Sequence, residues 1–254
     1  MKPRILILLL CYAICITTAC KKDADETANT LNTSTIDNAQ LSATGKLKFD
    51  ASLFVSGINN PYFPLVPGTV FHFVNTIEEH GEKSKEHETE TVTFDIKKIL
   101  GVKCEVVHDV IKEDGEITED TYDWYAQDTF GNVWYFGEDT KELTDTGWST
   151  EGSWEAGVNN AAPGIIMFGT PALFIGQTYY QEFLPGIAED QATLLSVTAT
   201  ATVPYGDFTN CVKTKEFTAL EPKDIEHKFY AVGVGQVLGV SAHETDKLIS
   251  VKKN

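Results

Sequence analysis

The chain has 254 residues, with 37 acidic against 20 basic side chains and a net charge of −17. That balance excludes nucleic acid as a partner, because phosphate binding needs clustered Lys and Arg. It favours divalent cations, cationic peptides or neutral ligands.

A basic start, Met1-Lys2-Pro3-Arg4, precedes an apolar run from Ile5 to Ile16. That run is shorter than the roughly 20 residues needed to span a bilayer, and it ends on small residues, as a secretory signal does. Thr17-Thr18-Ala19-Cys20 closes it. This end resembles the lipobox of bacterial lipoproteins, although Thr17 stands where that family usually has Leu. The resemblance implies cleavage after residue 19 and acylation of Cys20, so that the membrane is a partner through N-terminal lipid. Two or more acyl chains anchor stably where one does not. Residues 21–44 are Asp, Asn, Thr, Ala and Ser with few large apolar side chains, a composition that makes a flexible tether. By resemblance to lipoprotein sorting, Lys21 points away from inner-membrane retention and towards the outer membrane. The reading is therefore signal peptide 1–19, tether 20–44 and one β domain 45–254.

From residue 45 onward the pattern is strand and turn. The runs 68–75, 87–98, 102–112, 118–128, 132–139, 177–184, 194–203, 207–217, 226–241 and 247–253 are rich in β-branched and aromatic residues. In 102–112, Val102, Cys104, Val106, His108 and Val110 fall on one face. "DTFGN" (128–132) reads as a hairpin turn. One short helix is expected, over 186–195. The fold class is all-β: one large antiparallel sheet that curls into a half-barrel or open barrel to hide its edges, with at most one or two short helices. An apolar concave face is expected inside it. Export permits a disulfide between Cys104 and Cys211; the alternative is a pair of buried free thiols.

Two further stretches, "VPYGDF" (203–208) and "YAVGVG" (230–235), resemble a pattern of exported, uncharacterised bacterial proteins, V-P-x-G-x-F followed by a strand and Y-A-x-G-V-G. The matching residues are Val203, Pro204, Gly206 and Phe208, then Tyr230, Ala231, Gly233, Val234 and Gly235. "NPYFPLVPGTVFHF" (60–73) resembles their opening strand. Some of these proteins are related to the half-barrel lipoprotein carriers of the periplasm. The resemblance implies a carrier-like half-barrel and brings no catalytic residue. In residue terms, Pro204 and Gly206 make a tight turn with Gly206 free to take left-handed φ, and the glycines of 233–235 thin a strand for close approach of a backbone or ligand.

Chemistry-bearing motifs are weak. "HGEKSKEHETE" (80–90) carries His80 and His87 without metal-ligand spacing and reads as a solvated hairpin tip. "KEDGEITED" (112–120) lacks the ligand spacing of a calcium loop and reads as a charged turn. Ser149 lacks the context of a nucleophile elbow, and His72, His108 and His227 each sit alone in a strand. No metal, cofactor or catalytic residue is assigned. The aromatic span holding Tyr122, Trp124, Tyr125, Trp134 and Tyr135 packs a meander or walls a ligand site. The leading function is a non-enzymatic binding or structural lipoprotein that holds an apolar ligand, a lipid. The alternatives are a surface glycan- or protein-binding module and a hydrolase on a β scaffold.

Overall fold

Alternating side chains and two-residue turns dictate most of the architecture. The structure, a computed structural model, describes residues 48–79 and 81–253; the leader, Cys20, the tether and His80 lie outside it. Before the main sheet come β1 (Phe54–Val55), β2 (Ile58–Asn60) and β3 (Phe63–Leu65). A meander follows: β4 (Thr69–Glu79), β5 (Glu82–Ile99), β6 (Val102–Glu113), β7 (Glu116–Asp128) and β8 (Val133–Thr144). Two of its turns have positive φ at both central residues, Leu100-Gly101 (49° and 88°) and Asp114-Gly115 (51° and 90°), the turn whose twist matches paired strands. The acidic 112–120 motif is thus a hairpin turn. Short strands β9 (Gly147–Ser149), β10 (Trp154–Glu155), β11 (Ala162–Met167), β12 (Thr178–Tyr180) and β13 (Glu182–Phe183) lead to β14 (Asp190–Val203), β15 (Gly206–Thr218), β16 (Ile225–Ala231), β17 (Gly235–Val240) and β18 (Glu244–Lys253).

Apart from the separate β2–β3 hairpin, the strands form one antiparallel sheet in the order β12-β14-β15-β16-β17-β18-β4-β5-β6-β7-β8-β11-β13, with β1 added on β7 and β9 and β10 on β8. Its two ends are neighbours in sequence, so the sheet nearly closes on itself. Thr178–Tyr180 pairs with β14, and the Gln181 backbone N–H extends that ladder to the Asp190 carbonyl at 2.8 Å. Phe183 and Glu182 pair with Ala162 and Pro163 of β11. Gly164 lets this seam close: a Cβ there would strike the carbonyls of Tyr180 and Gln181.

The outer face of the β6–β8 wall is itself covered. Phe49 and Phe54 set their rings 5.4–6.5 Å from those of Trp134 and Phe136. Asp128 fixes the β7–β8 turn by accepting from the Phe130 and Asn132 N–H groups, from Asn132 Nδ2 and from Trp134 Nε1, all at 2.8–2.9 Å. The β2–β3 hairpin sits against the barrel's interior, with the Phe63 ring 5.3 Å from Tyr125 and 6.3 Å from Tyr230. Asn59 and Gln127 tie it down with reciprocal hydrogen bonds of 2.8 and 2.9 Å.

Four expectations need correction. Residues 186–195 form no helix: a turn closed by Leu184 and Ala188 leads straight into β14, while the short helical pieces among the described residues are 3₁₀ turns at Ala51–Leu53 and Pro171–Phe174. Residues 226–241 are two strands, because Gly233 and Gly235 (φ 75° and 106°) turn the chain back. Gly206 closes the β14–β15 hairpin opposite Val203 without a left-handed φ, and Phe208 does pack on the core. Cys104 and Cys211 are free and buried; they lie on β6 and β15, with β16, β17, β18, β4 and β5 between them.

Candidate functional site

The barrel holds a partly open cavity of about 370 Å³, and strand alternation decides what lines it. On β7, Glu119, Thr121, Asp123 and Tyr125 are spaced by two and all face inward. Glu88 and Glu90 do the same on β5 and Val107 and Asp109 on β6, while on β8 Tyr135 and Glu138, three apart, both face inward across the register shift opposite Asp123 and Tyr125. Beyond the seam, Glu182, Asp190, Glu216 and Asp246 come from β13, β14, β15 and β18. One cation, Lys228 of β16, lines the same space. Apolar surface comes from Phe63, Leu65, Phe71, Phe73, Val107 and Ile166. The expected apolar concave face is therefore corrected: the interior is mixed, and its polar part is overwhelmingly carboxylic. The second half of the 80–90 motif is no solvated tip either, since Glu88 and Glu90 point inside.

Register sharpens the conflict. Glu90 stands directly opposite Asp109, and Asp123 directly opposite Glu138. Like-charged residues at such positions repel. Burial, and next the neighbouring Glu90 carboxylate, push Asp109 up to about 9. Burial and then Asp123 push Glu138 up to about 9. Glu182 rises to about 8 by burial and the charge of Asp190. Asp123 rises to about 7 through burial, against the Tyr135 hydroxyl that donates to it at 2.6 Å. Burial also raises Glu88 and Glu90. An empty barrel at neutral pH thus keeps several of these groups as neutral acids.

Lys228 behaves in the opposite way. Burial alone would lower its pKa, but Glu216 and Glu226 outweigh burial and raise it well above the usual lysine value. Its Nζ lies 3.3 Å from Glu216 and 3.4 Å from Glu226. Glu216 also accepts from Thr214 at 2.8 Å and from the Tyr230 hydroxyl at 3.1 Å. This corner is satisfied internally.

Elsewhere on the wall Thr121 gives its hydroxyl to Glu119 at 2.8 Å and Trp154 its Nε1 to Glu182 at 2.7 Å, yet some acceptors stay unpaired. Asn75 gives its Nδ2 to Glu88 at 3.1 Å, yet its Oδ1 is buried without a partner, as are one oxygen of Asp109 and one of Asp246. Gln181 lines the cavity at 5% exposure, and its side-chain amide makes no hydrogen bond among the described residues. Buried polar groups are normally paired, so these atoms are left to cavity water or to a bound donor. Among the described residues no three His, Cys, Asp or Glu side chains are placed to hold a metal ion.

The aromatic span divides by parity. Tyr125 and Tyr135 line the cavity with rings stacked at 4.9 Å. Tyr122 and Trp124 lie on the opposite face of β7, Tyr122 stacked on His108 at 4.2 Å and Trp124 under the Lys97 ammonium at 3.2 Å. Trp134 is spent on Asp128. None of His72, His108, His227 and Ser149 lines the cavity. The carboxylates that dominate the site escaped the motif search, although "HETE", "HDV" and "TEDTYD" carry acids at strand spacing.

No family model matches the chain, and no curated protein does. Two solved structures are similar at low TM-score. One is a candidate exported protein with a YmcC-like fold from Bacteroides fragilis NCTC 9343, at 12% identity and a TM-score of 0.40, covering 77% of this chain and 100% of its own. The other is a candidate lipoprotein from Parabacteroides distasonis ATCC 8503, at 12% identity and a TM-score of 0.41, covering 76% of this chain and 99% of its own. At these values neither assigns a role to any residue here.

Proposed function

We propose that this chain is a non-enzymatic binding protein of the cell envelope, anchored by lipid on Cys20 at the outer membrane, whose barrel takes up a positively charged small molecule. The leader, Cys20, Lys21 and the acidic tether support the address. One observation carries the ligand: a partly open cavity whose wall offers carboxylates on strand after strand, against one lysine already held by Glu216 and Glu226. Its volume suits a small organic molecule. A fatty acid, one member of the lipid class expected from the sequence, would bring a further carboxylate into this wall.

Thermal unfolding of the mature chain, Cys20–Asn254, against a panel of organic cations, calcium, citrate and a fatty acid tests the reading. The expected result is a raised Tm with at least one cation, weakened by added salt, and no rise with citrate or the fatty acid. Stabilisation by the fatty acid alone, or by nothing in the panel, overturns it.

A further inference from the structure

Resting on that reading, the distribution of charge inside the barrel narrows the ligand to one class. We infer that the cavity binds a linear aliphatic polyamine, with its ammonium groups at the Glu90–Asp109 and Asp123–Glu138 pairs and its methylene stem between them. The two pairs are direct cross-strand partners, one bridging β5 and β6 and the other β7 and β8. Their centres are two strand spacings apart across the sheet and, because Asp109 faces Thr121 rather than Asp123, two residues apart along it, roughly 12 Å in all. One compact ion cannot neutralise both, whereas two ammonium groups on one chain can. The space between is suited to methylenes: the stacked Tyr125 and Tyr135 rings lie beside it, and Phe63, Phe71, Phe73 and Val107 line the same cavity. Aromatic faces next to carboxylates also favour an ammonium group.

The unpaired polar atoms point the same way. Gln181, 5% exposed, lines the cavity with no side-chain hydrogen bond among the described residues, and one oxygen each of the lining residues Asp109 and Asp246 is buried without a donor. Each ammonium group supplies up to three donors. A metal ion would need three or more ligands converging on one point, and among the described residues there is no such group. A single guanidinium could serve one pair and leave the other unmet.

Binding must also move protons. Asp109 and Glu138, held at about 9 by burial in the empty barrel, ionise when an ammonium group arrives, so protons leave as the amine enters. Glu88, Glu119, Glu182, Asp190 and Asp246 face the same space, and burial raises all five. Glu216 and Lys228 are occupied with each other. Affinity therefore increases from pH 6 to pH 8.5, where the amine is still charged.

Isothermal titration of the mature chain with spermidine, 1,5-diaminopentane, n-butylamine and calcium, in two buffers of different ionisation enthalpy, tests the inference. The expected result is saturable spermidine binding with net proton release, n-butylamine at least about tenfold weaker, and calcium unable to displace the triamine. Glu90→Gln and Asp123→Asn should each weaken spermidine by about tenfold or more, with Glu78→Gln, at an exposed ion pair, unchanged. If n-butylamine equals spermidine, or calcium displaces it, the polyamine assignment fails while a cation site stands. If no cation binds, both fail. Should a variant not fold, the wild-type amine series and its proton release still decide. Spermidine binding unaltered in folded Glu90→Gln and Asp123→Asn places the site elsewhere and overturns the inference.

Discussion

Glu138 shows how one buried acid can make a whole barrel sensitive to pH. Its ordinary pKa is 4.5, and burial with the nearby Asp123 charge lifts it to about 9 in the folded state. The folded chain holds a proton there that the unfolded chain gives up, so the group's contribution to stability is complete below pH 4.5 and is lost as pH rises towards 9. Each carboxyl of this kind removes at most about 1.4 kcal/mol per pH unit, less where cavity water screens it. The Tm of the unliganded protein should therefore fall between pH 5 and pH 9. Glu138→Gln, which has no proton to lose, should leave the Tm at pH 5 nearly unchanged and raise it at pH 9; scanning calorimetry at both values checks this, and parallel pH slopes for the two proteins would contradict it. At this scale the sequence was legible only in part. The acids at 119, 123 and 138 are visible, but that Asp123 meets Glu138 depends on a register that shifts between Asp123 and Tyr125.

Among the elements, the 178–183 segment has the largest structural task. Three residues pair with β14 and the next pair with β11, which turns an open curl into a nearly closed ring. The seam requires a glycine in β11, because backbone carbonyls occupy the place of a Cβ at Gly164. Gly164→Ala should destabilise by about 1–3 kcal/mol through forced backbone displacement, lowering Tm by several degrees. Gly101→Ala, in a turn with open space around it but φ of 88°, should cost about 1 kcal/mol. Urea unfolding of both variants separates the causes, and hydrogen exchange should show faster opening of 178–183 only in Gly164→Ala. Equal exchange in the two variants would show that the seam does not depend on Gly164. Strands 87–98, 102–112 and 118–128 were readable from alternation and turn residues alone. The seam was not, because its strands are too short to carry a period.

For the whole molecule, charge and address belong together. Past residue 19 the chain carries 18 basic and 37 acidic residues, so an anionic lipid surface repels the domain, and the proposed attachment rests on Cys20. Cys20→Ser should move the protein from the membrane to the soluble fraction, measured by detergent phase partition. A variant that stays wholly with membranes would remove the anchor from the proposal. The same excess of acid makes the interior intelligible: several carboxyls line a barrel cavity of about 370 Å³, where desolvation favours their neutral form.

By itself the sequence determined the all-β class, the two-residue turns and most of the long strands, since these follow from local periodicity and from residues that accept positive φ. It also supplied the acidic surplus. Only the tertiary structure decided that the sheet nearly closes, that Tyr125 and Tyr135 face inward while Tyr122 and Trp124 face outward, and that the cavity is carboxylic rather than apolar. Those outcomes depend on which strands meet and in which register, and a shift of one residue exchanges the two faces of a strand. Local pattern shows that a strand has two faces; the pairing of distant strands decides which one is inside.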